Sequence, residues 1–134
     1  MTPTAGSRAP LLLLMALLGL QAVVLSACNE LSGDRERDLA RLEQWRQEIR
    51  GMADPTAATV EECRAIPFGS KPCGGPWEYL IFSVTATDSA NLAEQVQAFN
   101  AFEAEVNRKY DRVSDCALVA RPTTVVRGGV CVAQ

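Results

Sequence analysis

Cys63-Arg-Ala-Ile-Pro-Phe-Gly-Ser-Lys-Pro-Cys73-Gly-Gly-Pro-Trp77-Glu-Tyr-Leu-Ile-Phe-Ser-Val-Thr85 is the stretch on which the fold turns. Its first fifteen residues hold three prolines and three glycines. That density denies a helix its backbone hydrogen bonds and excludes a central strand. The remainder changes character: Trp77, Tyr79, Leu80, Ile81, Phe82 and Val84 are aromatic, β-branched or aliphatic, and both alternating faces are apolar. This predicts an irregular loop over 63–77 and then a strand over 77–85, covered on both sides or nearly so.

On the C-terminal side, Leu92, Val96, Phe99, Phe102, Val106 and Tyr110 recur at helical spacing and predict an amphipathic helix. Asp88 or Asn91 can cap its start, Asn91 with Glu94 fits a capping box, and Arg108 and Lys109 suit the dipole at its end. Strand-like pieces follow at 117–120, 123–126 and 130–132, with Gly128-Gly129 as a two-residue hairpin signal. On the N-terminal side, Leu39, Leu42, Trp45, Ile49 and Met52 predict a first helix over 34–50, capped by Asp34 and stopped by Gly51 and Pro55. Its other face carries Arg37, Arg41, Glu43, Arg46 and Glu48, a solvated surface beside which contact with anionic head groups is a minor reading. Residues 54–60 are the most linker-like stretch. The predicted class is α+β: two amphipathic helices with a small antiparallel sheet of about three strands, stapled by disulfides.

The first 27 residues read as an export signal. A polar start with one charge, Arg8, precedes an apolar run over 11–25, too short for the roughly 20 residues that span a bilayer. Leu25-Ser26-Ala27-Cys28 resembles the lipobox of bacterial lipoproteins. That resemblance implies a diacylglyceryl thioether on Cys28, cleavage before it and acylation, palmitate included, of the new amine. Several acyl chains give stable anchoring where one is marginal. The expected organisation is a signal peptide over 1–27, a lipidated terminus and spacer over 28–33, and a single domain over 34–134. The expected location is the cell envelope, with membrane attachment through Cys28. Asn29 stands where aspartate is the enterobacterial retention signal, which favours the periplasmic side of the outer membrane in a Gram-negative cell.

Removing 27 of 134 residues leaves 107, with twelve basic and sixteen acidic side chains. A net charge of about −4 and no basic stripe argue against a nucleic-acid partner. Four cysteines remain beside Cys28: Cys63, Cys73, Cys116 and Cys131. An even number in an exported domain of this size reads as two disulfides. Three pairings are open; Cys63–Cys73 with Cys116–Cys131 is favoured because each closes a short loop rich in turn formers. Zinc is disfavoured, since no two cysteines have ligand spacing and the chain contains no histidine.

Lack of histidine also removes the commonest general base and the Ser–His and Cys–His nucleophile pairs. Gly69-Ser70-Lys71 lacks the spacing of a phosphate loop or of S-x-x-K. Glu61 and Glu62 read as an acidic turn. No catalytic residue, metal or cofactor is therefore assigned.

The 63–79 region is the candidate contact surface, with Arg64, Phe68, Lys71, Trp77 and Tyr79 as contact residues, because a rigid loop lowers the ordering cost of binding. The weightier structural alternative is that its prolines and glycines only route the chain, while Phe68 and Trp77 close over the core. A Trp77–Tyr79 sugar-stacking surface ranks lower. The segments Cys…Gly-x-Lys-Pro-Cys-Gly-Gly-Pro-Trp-x-Tyr-Leu, Ser-Asp-Cys and Gly-Gly-x-Cys, at 63–80, 114–116 and 128–131, resemble a pattern in small exported bacterial proteins of unassigned activity. The resemblance implies one domain with paired cysteines and transfers no activity. The leading expectation is a non-enzymatic envelope module that binds or inhibits another protein. The alternatives are an envelope-structural lipoprotein without a discrete site and a hydrolase built on carboxylates.

Overall fold

The computed structural model describes residues 33–134; the expected signal peptide, lipobox and Cys28 lie outside them. The chain divides into two compact units, Met1–Arg37 and Asp38–Gln134. Of the first, residues 33–37 are described. They are helical, and the Arg37 guanidinium donates to the Asp34 carboxylate. Asp34 is thus inside a helix and is not its N-cap.

The second unit begins with helix α1 over 38–52, which ends two residues past the arginine at which the sequence predicts its end. A 3-10 turn, Val60–Glu62, leads into β1 (Cys63–Phe68) and β2 (Glu78–Ser83), followed by α2 (Ser89–Lys109), β3 (Thr124–Arg127) and β4 (Val130–Ala133). The α+β class holds. The strands form two antiparallel ribbons, β1–β2 and β3–β4, where a single sheet of about three strands was expected. Residues 117–120 are not a strand.

β1 is the strand that the prolines concealed. It pairs with β2 in the register Cys63↔Ser83 through Phe68↔Glu78, placing Pro67 opposite Tyr79. A two-stranded ribbon leaves each strand an open edge, and that is where a missing N–H is tolerated. The ribbon is covered on both faces, as the alternation over 77–85 predicts. Phe68, Leu80 and Phe82 face one cluster with Leu42, Ile49, Leu92, Val96, Phe99 and Val106. Ile81 packs on a second cluster of Ala57, Cys63 and Cys131, joined by Val126. Phe68 and Phe99 are completely buried with ring centroids 4.8 Å apart; burying side chains of this size stabilises by about 1.5–3 kcal/mol each.

α2 carries the predicted apolar stripe. Of its two candidate caps, Asp88 is the one used, its carboxylate accepting from the Asn91 amide at 3.1 Å. β3 and β4 turn at Gly128 (φ +60°) and Gly129 (φ +81°), the two left-handed residues a type I′ hairpin demands. The linker-like 54–60 stretch is ordered. The Ala57 amide donates to Gly129 O (2.9 Å) and the Cys131 amide to Pro55 O (2.7 Å), so this segment lies along the hairpin.

The disulfides are Cys63–Cys131 and Cys73–Cys116, which corrects the pairing favoured from the sequence. Short loops looked easiest to close, but the pairing follows where the strands carry the cysteines. β1 begins at Cys63 beside β4, and the loop after β1 brings Cys73 to the segment after α2. The C-terminal segment is thereby gripped at 116 and 131 by the two ends of 63–73.

Candidate functional site

The 68–77 loop is held from below by α2. Asn100, Glu103 and Asn107 lie three and four residues apart on one helical face. Asn100 Oδ1 accepts from the Gly69 amide (2.7 Å), and its Nδ2 donates to Pro67 O (3.3 Å). Glu103 Oε2 accepts from the Ser70 amide (2.7 Å), and Asn107 Nδ2 donates to Ser70 O (2.7 Å). Glu103 is fully buried; its other oxygen accepts from Arg46 Nη2 at 2.7 Å. The Arg46 guanidinium in turn lies over the rings of Phe99 and Phe68, 5.1 and 5.7 Å from their centroids. A buried carboxylate with a cation and a peptide N–H on its two oxygens is a satisfied structural group.

The loop also closes on itself. The Lys71 amide donates to Gly75 O and the Trp77 amide to Phe68 O. Gly69 has φ +83°, and a Cβ there would stand 2.6 Å from Trp77 Cδ1, so both conformation and space require glycine.

Of the five predicted contact residues, two are not surface groups. Phe68 is core. Lys71 is 6 % exposed; its Nζ donates to Asp115 Oδ1 and Ala117 O, both at 2.9 Å, and lies 5.2 Å from the Trp77 ring centroid. Their burial has one cause: the α2 clamp pulls the loop inward, so its basic and aromatic groups serve the interior. Arg64 is exposed and folds back to donate to Glu61 O and Cys63 O at 2.8 Å. Trp77 and Tyr79 are half-buried. The five do not form one exposed patch.

What the buried Lys71 holds is a segment the sequence did not single out. Residues 112–123 run between α2 and β3 with no turn, bend or strand. They are fixed by Cys116–Cys73, by Lys71 to Asp115 and Ala117, and by Arg121 Nη2 donating to Ala65 O at 2.9 Å. Val113 is 90 % and Leu118 95 % exposed. The backbone groups of residues 118–120 make no hydrogen bond among the described residues. The sequence marked the Ser-Asp-Cys anchor and read 117–120 as strand-like, which the structure does not bear out; an apolar residue gives no sign that it will face water.

Beside this strap, a cleft of about 420 Å3 opens between the loop and the end of α2, lined by Ser70, Lys71, Asn107, Arg108, Asp111 and Arg112 among others. Asp111 is its single lining carboxylate, whereas acid–base glycoside hydrolysis requires two, about 5–10 Å apart. Glu62 is engaged in structure. Its carboxylate accepts from the Thr85 hydroxyl (2.6 Å) and the Thr59 amide (3.1 Å), and the Thr85 bond holds it below the usual carboxylate range. Among the described residues no cluster of three acidic or cysteine side chains could hold a metal, and no helix is long and apolar enough to cross a membrane.

The chain matches no family model, no curated protein and no solved structure.

Proposed function

We propose that this chain is a lipid-anchored protein of the bacterial envelope, exported by residues 1–27 and acylated on Cys28, whose domain is a non-enzymatic module that binds another protein. The observation that carries the binding role is the 112–123 strap. It is a disulfide-anchored segment without turn or bend, presenting Val113 and Leu118 to solvent, and the backbone of 118–120 has no hydrogen-bond partner among the described residues. A single exposed leucine is ordinary. An exposed leucine on a segment already braced within three residues on either side is pre-ordered for contact, and binding there loses little conformational entropy. The contact surface is thereby moved from the 63–79 loop to the strap which that loop holds in place.

The test is recovery of a partner from envelope extract by the tagged full-length protein, against Leu118→Asp and Val113→Asp. The expected result is a protein captured by the parent and lost with either variant while thermal unfolding is unchanged. Equal recovery by all three would leave the reading without support and favour the structural lipoprotein, for which the clamped loop is simply scaffold. The anchor is checked by mass spectrometry of the N-terminus, expected to begin at an acylated Cys28; an intact Met1 terminus would refute it.

A further inference from the structure

We infer that the strap is a substrate-like docking loop for an endopeptidase whose primary specificity pocket is apolar, with Leu118 as the side chain that enters the pocket; this rests on the protein-binding reading above. Peptidases engage a substrate as an extended strand, taking main-chain hydrogen bonds along it and one side chain into a pocket. Three features of the strap meet those requirements together. Its backbone makes no turn or bend from 112 to 123 and carries no positive φ. The N–H and C=O groups of residues 118–120 have no partner within the described chain, so they are open to an incoming edge. Leu118 is 95 % exposed and flanked by the anchors at Cys116, Ala117 and Arg121.

The disulfide topology separates an inhibitor from a substrate. Hydrolysis of the Leu118–Val119 bond adds one water and leaves a carboxylate on Leu118 and an amine on Val119. The upstream end stays tied through Cys116–Cys73 and the Lys71 contacts. The downstream end stays tied through Arg121 to Ala65 O, the β3–β4 ribbon and Cys131–Cys63. Both partners of the disulfides lie on the continuous 63–73 segment, so neither new terminus can leave. A cut strap remains in the cleft, where the reverse reaction competes with release.

The test uses the detergent-solubilised full chain with chymotrypsin, whose pocket is apolar, and trypsin, whose pocket is acidic. Expected is stoichiometric inhibition of chymotrypsin and little effect on trypsin. Leu118→Asp should weaken inhibition at least about thirtyfold, as loss of a central anchor does. Leu118→Arg should transfer inhibition to trypsin, an outcome that damage to the fold cannot produce. Absence of inhibition by the parent together with absence of the Leu118→Arg transfer overturns the inference. So does rapid cleavage after Leu118 with full recovery of peptidase activity, which would make the strap a substrate, or Leu118-dependent dimerisation by sedimentation. Leu118-dependent capture of a partner that is not a peptidase would also overturn it while leaving the protein-binding reading standing.

Discussion

Glu103→Gln probes the clamp that positions everything above it. Each oxygen of Glu103 accepts one hydrogen bond of 2.7 Å, from Arg46 Nη2 and from the Ser70 amide. The Glu103 side chain is 1 % exposed and that of Arg46 16 %, so water cannot replace a lost partner. Glutamine keeps the shape but has one acceptor oxygen. Whichever way it turns, its NH2 faces a donor. The loss is one charge-assisted bond or one orphaned peptide N–H, about 1.5–3 kcal/mol. In a domain of this size each kcal/mol moves the melting temperature by about 4–8 °C, so a loss near 2 kcal/mol gives a fall of roughly 8–16 °C. The double variant Arg46→Met with Glu103→Leu refines the reasoning. Replacing a buried ion pair by apolar groups can be neutral, but here the Ser70 amide still loses its acceptor, and about 1–3 kcal/mol of destabilisation should persist. The assay is thermal unfolding by circular dichroism with disulfides intact, combined with hydrogen exchange at the Ser70 amide. A Glu103→Gln protein melting within about 2 °C of the parent, its Ser70 amide still protected, would refute the role assigned to this residue.

Gly69→Ala should destabilise by clearly more than Gly74→Ala: both have positive φ, but a Cβ meets Trp77 Cδ1 at 2.6 Å only at position 69. Paired denaturant titrations test this, with about 1 kcal/mol expected for the conformational cost alone at Gly74 and equal losses contradicting the contact. Non-reducing peptide mapping should recover the cross-links 63–131 and 73–116. Limited reduction should open Cys73–Cys116 first, since both its residues are exposed while Cys63 and Cys131 are buried; separations of 43 and 68 residues imply about 4 kcal/mol from either bridge in the loop-entropy account. Glu62 is held below its ordinary value by the Thr85 hydroxyl, and Asp54 by Thr56. A depressed folded-state pKa contributes stability that is complete above the unfolded value and lost as pH falls through the folded one. The advantage of the parent over Thr85→Val in thermal melts should therefore shrink between about pH 6 and pH 2, and a constant gap would count against it.

Elements whose own residues carry their periodicity were legible. The α2 stripe, the Asp88 cap, the Gly128-Gly129 turn and the two-faced β2 all appear where spacing and turn chemistry place them, because these signals are local. β1 was not legible. Its proline, Pro67, argues against a strand unless the strand has an open edge, and edges exist only once the sheet is known. The polar face of α2 was visible in principle, since Asn100, Glu103 and Asn107 stand at helical spacing, but only the fold shows that it meets the backbone of the 67–70 loop.

The candidate site divides the same way. From residue types alone came a chain without histidine, four cysteines beside Cys28 expected to pair, distinctive residues gathered in 63–79, and an α+β domain to hold them. Tertiary structure decided which of those residues reach the surface. Phe68 and Lys71 turned inward because a buried carboxylate and two asparagines on α2 satisfied the backbone at Gly69 and Ser70, which lets an apolar ring and a paired ammonium be buried there. It decided the disulfide pairing, because that depends on which strands lie side by side and not on loop length. It also exposed Leu118, whose environment no local pattern specifies, since exposure is set by what the rest of the chain leaves uncovered.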